Sequence, residues 1–479
     1  MSVIHTISRF LMSIINAVYN LLWGDLITIP LPGGSYLGLS LLVLILIPAG
    51  IYFTFRTKFL PFRLFPEMLK TAVEKRHVSQ KGAISGIQAL IVSTATRVGM
   101  GNLVGVVAAI SAGGAGAVFW MWVIALLGAS TAFVEATLAQ LYKEKDPLYG
   151  GYRGGPAYYI HQLFAGKKHA RRHCVIAVCF AVSALICWCG ISQVIGNSVS
   201  SAFENAFHIP PIYTTIVLVV IAAFIVLRKN ATVKVLDIIV PVMAAVYFII
   251  TLFIIIKNAG QLPAVFGRIF EEAFGLRQVA AGGIGAVIMN GAKRGLFSNE
   301  AGSGSAPCAA AAADISHPAK VGLLQAFGVF IDTIVICSCT AMIMLLVPAE
   351  MTAGLTGMDL LQTAMQYHLG QPGILLIAAI LWFFSFSTFI CILFYARSNV
   401  AYLFGDRWMP QTIYKIIALI MLFIGGLAAY TFVWDLGDIG IGLMTIFNMI
   451  AIIPLASKAI ESLKDYEKQN KRKSKKRNK

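Results

Sequence analysis

From Pro372 to Ala396 the chain carries no charged side chain. Runs of this kind, longer than the roughly 18 apolar residues that cross a bilayer, recur along its length. They fix what it can fold into, because in hydrocarbon every backbone N–H and C=O must find a partner inside the protein. Such segments are helices. Of the 479 residues, 58% are hydrophobic and 12% charged, whereas a soluble protein carries about 25% charged residues. Mean hydropathy is +0.79. The expectation is an all-α polytopic membrane protein, built as one large helical unit.

The runs predict about eleven transmembrane helices, at residues 35–55, 83–112, 117–142, 174–202, 211–227, 235–256, 280–313, 321–347, 372–395, 413–431 and 436–456. Residues 10–24 are amphipathic and are expected to form a short helix at the interface. They do not read as a signal peptide, since Arg9 is the one early basic residue and no small-residue cleavage site follows. Basic residues crowd alternate connections: Arg56, Lys58, Arg63, Lys70, Lys75, Arg76 and Lys81 after helix 1, Lys143, Lys145, Arg153, Lys167, Lys168, Arg171 and Arg172 after helix 3, and Arg228, Lys229 and Lys234 after helix 5. By the positive-inside rule these are cytoplasmic, which puts the N-terminus outside and the C-terminus in the cytoplasm. Glu204, Glu350, Asp359, Asp435 and Asp438 then fall outside, and the connection before helix 7 mixes both signs. The net charge of +17 therefore follows membrane topology and does not point to nucleic acid. The tail 458–479, with its basic run 471–477, is expected to be a disordered cytoplasmic anchor for anionic lipid, worth about 1 kcal/mol per basic residue. The eight cysteines show no metal spacing and read as small buried hydrophobes.

Two of the runs carry residues that a plain spanning helix avoids. In helix 2, Gly99, Gly101 and Gly105 lie beside Arg97 and Asn102. Glycine costs about 1 kcal/mol relative to alanine in a helix interior, and an ionised group near the bilayer centre at least about 2.5 kcal/mol. Unwound backbone in a membrane survives where it is buried in protein or lines a wet cavity. A break here exposes N–H groups that suit a carboxylate and C=O groups that suit an ammonium or a sodium ion. A glycine-rich packing seam is the competing reading. The second break is expected at residues 290–302 of helix 7, which include Asn290, Gly291, Lys293, Arg294 and Glu300. Arg97, Lys293 and Arg294 are expected to share Glu300 and Asp332 in a buried charge network near the site, because charges in hydrocarbon must pair or line water. Glu135 and Asp332 also fit plain helix–helix ion pairing.

Helix 2 opens one block of five helices and helix 7 another. With an odd number per block the second sits upside down, giving inverted repeats at 83–257 and 258–457 after an N-terminal region at 1–82. Broken helices at matching places in two inverted halves point to a transporter site. In helix 9, Ser387 and Thr388 are adjacent hydroxyls of the kind a hard cation takes, although such hydroxyls often bond their own backbone. Tyr152-Arg-Gly-Gly-Pro-Ala-Tyr-Tyr159 reads as a turn into an amphipathic helix on the cytoplasmic face.

The motifs Gly99-Met-Gly-Asn102, Gly116-Ala-Val-Phe-Trp-Met-Trp122, Tyr152–Tyr159 and Arg294-Gly-Leu-Phe-Ser-Asn-Glu-Ala-Gly302 together resemble the alanine or glycine:cation symporter family over nearly the whole chain. The resemblance implies a LeuT-like fold and sodium- or proton-coupled uptake of a small amino acid, by a monomer in a bacterial or archaeal cytoplasmic membrane. It implies that the N–H groups of Met100 and Gly101 hold the substrate carboxylate. It also implies that the carbonyls of Ala95 and Val98, with Ser387 and Thr388, hold sodium, with Asn102 near substrate or ion. The full substrate-binding set expected is Thr96, Arg97, Gly99, Met100, Gly101, Asn102, Ile195, Asn290 and Gly291. The chain departs from the family at Met100, where Thr or Ser is usual, at Ile195-Gly-Asn-Ser198 in helix 4, at Cys308, and at Arg397, where Glu is frequent. Sodium is the expected coupling ion, with no organic cofactor. The rivals are proton coupling through Glu300 or Asp332, a passive pore, and a membrane-embedded enzyme, for which the histidines lie mainly in loops or at span ends. No GxxxxGK[ST] motif for ATP occurs.

Overall fold

The computed structural model describes residues 13, 15–30, 36–74, 84–165, 174–228, 236–276 and 283–477. The side chains of residues 36, 95–98, 165, 236–237, 431 and 473–477 lie outside that description. Among the described residues, eight helices are long and apolar enough to cross a membrane. They are helix 2 (Gly86–Gly113), helix 3 (Gly116–Leu141), helix 4 (Val175–Phe207) and helix 6 (Leu236–Lys257), then helix 8 (Pro318–Leu345), helix 9 (Gln371–Phe404), helix 10 (Trp408–Leu427) and helix 11 (Tyr430–Arg477). Helix 1 (Leu41–Arg56) and helix 5 (Pro211–Val226) are shorter and equally apolar. Helix 7 is divided into 7a (Gly283–Asn299) and 7b (Ala306–Ala312). A helix thus meets each expected span.

Helices 2 and 7a run antiparallel. A Cβ on Gly101 would lie 3.5 Å from Ser298, and one on Gly113 would lie 3.0 Å from the Asn290 Cβ. Register that rises along one helix and falls along the other is what two inverted halves require of their first members.

Glycine then sets how closely the rest packs. A Cβ on Gly190 or Gly440 would overlap the Gly437 or Cys187 backbone, and one on Gly425 the backbone of Gln193. Helices 4, 10 and 11 therefore meet backbone to backbone. Likewise a Cβ on Gly291 would overlap Ala117 and Trp120, and one on Gly322 would overlap Thr137 and Phe133, which joins helix 3 to 7a and 8. Small residues permit this close approach, and dispersion between the helices drives it in lipid.

Four parts differ from expectation. The amphipathic N-terminal segment, helical over 15–23, docks into the fold instead of lying on it. Leu22 and Trp23 are buried, and the Trp23 indole donates to the Asp438 carbonyl at 3.0 Å. The mixed-charge connection before helix 7 contains a helix, Leu262–Ala273. Its Glu272, held by Arg268 at 2.7 Å, accepts the N–H groups of Ala115 at 2.6 Å and Gly116 at 3.3 Å. A carboxylate thus caps the start of helix 3, where backbone donors lack helical partners.

Finally, the tail is not disordered within the described residues. Helix 11 continues to Arg477, since extending an existing helix with Lys, Glu and Gln needs no new nucleus. It packs on the short helices Leu60–Arg63 and Phe65–Ala72, through Arg63–Glu467 at 2.7 Å and a Tyr466 hydroxyl that donates to Glu67 at 2.8 Å. A hairpin of Ile27–Pro30 and Tyr36–Leu39, also unforeseen, precedes helix 1.

Gly190→Ala should cost about 1–3 kcal/mol by overpacking, read as a lower melting temperature of the purified protein. Gly260→Ala, with nothing within 4 Å of the added methyl, should leave it unchanged.

Candidate functional site

The interruption in helix 2 is a change of winding rather than unwound chain. Residues Arg97–Gly105 form a π-helix between two α-helical stretches. Its wider turn follows from the glycines, which carry no Cβ to hold α geometry, and from side chains that accept its backbone N–H groups. Asn102 Oδ1 accepts the Gly99 N–H at 3.3 Å, and Thr388 Oγ1 accepts the Met100 N–H at 3.3 Å. A Cβ on Gly99 would overlap the Thr388 hydroxyl, so helices 2 and 9 touch at Thr388. Ser387 and Thr388 both donate to the Phe384 carbonyl at 2.8 Å. This is the local bonding expected of such hydroxyls, and it leaves their lone pairs on the outer side of the oxygen. The side chains of Ala95, Thr96, Arg97 and Val98 lie outside the described residues.

Asn102 also reaches helix 8. Its Nδ2 donates to Asp332 Oδ1 at 2.8 Å and to the Asp332 carbonyl at 3.0 Å. Asp332 lies in a second π-helical stretch, Phe330–Cys337, and is fully buried. Its other oxygen accepts Ser298 Oγ at 2.9 Å and Thr333 Oγ1 at 2.7 Å. Helices 2, 7a and 8 therefore converge on one carboxylate.

Helix 7 breaks later than expected, at residues 300–305. Asn290 and Gly291 lie within 7a. The Asn290 amide donates to the Ala286 carbonyl at 2.9 Å, and Gly291 packs on Ala117 and Trp120. The break begins at Glu300, whose φ of 56° is left-handed, and runs through Gly302 and Gly304 at 90° and 86°. The glycines adopt this without penalty, whereas for glutamate it costs of order 1 kcal/mol or more. Glu135 of helix 3 holds the broken segment. Its Oε1 accepts the Gly302 N–H at 3.1 Å, and its Oε2 accepts Asn448 Nδ2 at 2.9 Å. Asn448 Nδ2 also donates to the Gly302 carbonyl at 2.9 Å, and the Tyr159 hydroxyl donates to Asn448 Oδ1. Tyr395 donates to Glu300 Oε2 at 3.4 Å. At the far end of 7b, Lys143 and Gln140 donate to the Ala313 carbonyl at 2.7 and 2.9 Å. Lys143 lies beyond the span, and partial burial, opposed by Asp314, pulls its pKa down to about 8.

The acid that Lys293 and Arg294 meet among the described residues is not the expected Glu300 or Asp332. It is Asp438 of helix 11, which is 1% exposed. Lys293 Nζ stands 2.7 Å from Asp438 Oδ2, and Arg294 makes a two-pronged contact at 3.0 Å to each oxygen. Aromatic rings wall the group, with Lys293 4.7 Å from the Tyr19 ring and Arg294 3.9 Å from that of Trp434. The sequence puts Asp438 at the outer end of helix 11, whereas the helix begins at Tyr430 and Asp438 lies well inside it. Its sequence signal was an acid inside a glycine-rich apolar stretch. Ile195, in helix 4, is buried at 1% exposure.

The sequence matches the profile of the sodium:alanine symporter family over residues 27–479. It is 42% identical over 429 residues to the amino-acid carrier protein AlsT of Bacillus subtilis, covering 89% of each chain. It is 42% identical over 433 residues to the probable sodium/glutamine symporter GlnT of the same organism, covering 90% of this chain and 89% of that one. In three dimensions it is similar to a manganese transporter of Eremococcus coleocola, with a TM-score of 0.51 at 13% identity over 83% of this chain and 80% of that one. The likeness is one of fold, and the fold is the LeuT-like one.

Asp438→Asn should leave two buried cations without their anion and cost about 3–5 kcal/mol, seen as a large fall in melting temperature. Lys293→Met in the same chain should recover part of the loss.

Proposed function

Because the chain belongs to the sodium:alanine symporter family, a family of membrane transporters rather than enzymes, we propose that it imports a small neutral amino acid together with sodium by alternating access. Alanine and glycine are the first candidates, then serine and glutamine. The observation that carries the reading is the contact of Met100 N–H and Gly99 with Thr388. It brings the widened turn of helix 2 against the hydroxyl pair of helix 9, beside the Asp332 carboxylate that Asn102 holds.

In this reading sodium lies between helices 2 and 9, on Ser387 Oγ, Thr388 Oγ1 and the carbonyls of Ala95 and Val98. Hydroxyls and carbonyls supply oxygen ligands without net charge, as a hard monovalent cation requires. The amino acid lies along residues 96–102, with its carboxylate on N–H groups of the π-helical turn. The Met100 N–H, engaged by Thr388 in this structure, changes partner when substrate enters. Met100 and Ile195, both nearly fully buried, add apolar bulk where the family carries hydroxyl or amide groups, which favours a small aliphatic side chain. The two halves, 83–257 and 258–457, rock against each other, with the N-terminus outside and the tail in the cytoplasm. One net charge entering down 100 mV supplies about 2.3 kcal/mol per cycle.

A second reading is proton coupling. Glu300 keeps a carboxylate in left-handed backbone where glycine would be relaxed, and Asp332 is fully buried. Sodium and pH gradients imposed separately on proteoliposomes distinguish the two.

Asn102→Ala and Thr388→Ala should each raise the sodium concentration for half-maximal alanine uptake by about tenfold, the loss of roughly one charge-assisted contact. Unchanged sodium dependence in both removes the assignment. Glu300→Gly should relieve the backbone and keep the melting temperature while transport falls; full retention of transport would make Glu300 structural. Competition of labelled alanine uptake by each amino acid, with and without sodium, identifies the substrate.

A further inference from the structure

Helix 1 buries one face and leaves the other open. A Cβ on Gly50 would lie 2.8 Å from the Leu127 Cβ of helix 3, whereas Ile51, Tyr52 and Phe55 are exposed, Phe55 by 63%. In a chain that spans a bilayer, such an apolar stripe faces lipid. The stripe does not stop with the helix. It continues through Phe59, edge-on to Phe55 at 5.1 Å between ring centroids, and through Phe62, exposed by 62%. The 16 residues of helix 1 rise about 24 Å, less than the roughly 30 Å of hydrocarbon. The turn that follows therefore stands close to the edge of the hydrocarbon.

That turn is braced. Lys58 and Phe59 both take left-handed backbone, with φ of 58° and 53°, which residues carrying a Cβ adopt at a cost. The Phe59 N–H donates to the Thr54 carbonyl at 2.8 Å, and the buried Thr57 hydroxyl to the Phe53 carbonyl at 2.8 Å. Arg63 closes the turn. Its Nε donates to the Lys58 carbonyl at 3.2 Å, its Nη2 to the Thr57 carbonyl at 3.3 Å and its Nη1 to Glu467 at 2.7 Å. One cation of the segment is thus part of the fold. Two others are not. Arg56 donates to the neutral Ser457 hydroxyl at 3.3 Å and lies 5.7 Å from the Tyr52 ring. Among the described residues no carboxylate pairs with Arg56 or with the exposed Lys58; the acids of this region stand beside Arg63, Lys70 and Lys458 instead.

We propose that Arg56 and Lys58 hold the head group of an anionic phospholipid whose acyl chain lies along Ile51, Phe55 and Phe59. Arg56 offers a planar fork to the phosphate oxygens, and Lys58 a mobile point charge. The rings beside them sit at the level where aromatic side chains collect in membranes. A free phosphate supplies the same oxygens but gains nothing from the apolar stripe. In the orientation proposed above the lipid belongs to the inner leaflet. The choice of leaflet rests on that orientation; the binding itself does not.

The test is titration of the purified full-length protein, in a neutral detergent, with phosphatidylglycerol, phosphatidylcholine and inorganic phosphate. Bound lipid is read by native mass spectrometry, and stabilisation by melting temperature. Wild type should bind phosphatidylglycerol about tenfold or more tightly than phosphatidylcholine. Arg56→Gln/Lys58→Gln should lose about tenfold or more of that affinity, since each basic residue near a charged surface contributes about fivefold. Lys58→Gln alone, whose side chain bonds nothing among the described residues, should lose about fivefold and keep its lipid-free melting temperature. Lys468→Gln/Lys471→Gln, on the exposed tail of helix 11, should bind as wild type does. Equal phosphatidylglycerol affinity in wild type and in both Lys58 variants overturns the site, as does equal binding of the two lipids or a loss confined to the tail variant. Stabilisation by inorganic phosphate as strong as that by phosphatidylglycerol assigns a free ion and overturns the lipid. Each of these results leaves the transport reading standing.

Discussion

A helix can change its winding inside a bilayer only if something other than water takes the hydrogen bonds it releases. Both interrupted helices meet that constraint, and in different ways. In helix 2 the released donors go to nearby side chains, Asn102 of the same turn and Thr388 of helix 9. In helix 7 the chain reverses through left-handed residues, and Glu135 and Asn448, from helices 3 and 11, receive and supply its bonds. In the first, the groups that take the backbone donors are hydroxyl and amide, which can exchange partners at a cost of about 1 kcal/mol each, and the buried Asp332 carboxylate stands behind Asn102. In the second, the buried carboxylate of Glu135 accepts a backbone N–H itself. The interruption beside the ion and substrate positions proposed here is therefore the one whose backbone donors meet neutral groups.

The buried charges follow the same division of labour. Asp438 neutralises Lys293 and ties 7a to helix 11, while Arg294 takes both of its oxygens and stacks on Trp434. Such a cluster contributes little net stability against apolar residues of the same volume, but removing one member is expensive. It fixes where 7a stands relative to helix 11. Asp332 accepts from the uncharged side chains of Asn102, Ser298 and Thr333.

Span positions were legible because hydropathy is a local signal, whereas the pairing of helix 2 with helix 9 came from the family resemblance, since hydroxyls in an apolar helix often bond their own backbone. The antiparallel register of helices 2 and 7a followed from counting spans. What the residues did not reveal depended on distant partners. Glycines lie on both sides of Lys293 and Arg294, and composition alone cannot say which stretch breaks; Glu135 and Asn448 decide it by waiting at residues 300–305. Asp438 reads from the sequence as lying at the outer end of helix 11, where an acid near a span end usually belongs, and only two cations 144 and 145 residues earlier hold it in the interior. The tail was read from its charge, whereas its helical state follows from being continuous with helix 11.

The clasp around Gly302 also bears on how the chain is made. Glu135 meets Gly302 167 residues later and Asn448 313 residues later. At about 5–20 residues per second, the ribosome delivers that last partner roughly 15–60 s after the carboxylate. Over that interval Glu135 resides in a half-built protein, where an ionised group in lipid costs at least about 2.5 kcal/mol. Lys293 and Arg294 wait in the same way for Asp438. Assembly is therefore closed from the C-terminal end, and a nascent chain released before helix 11 holds Lys293 and Arg294 without the carboxylate that neutralises them, a mark by which membrane quality control can tell the unfinished product from the finished one.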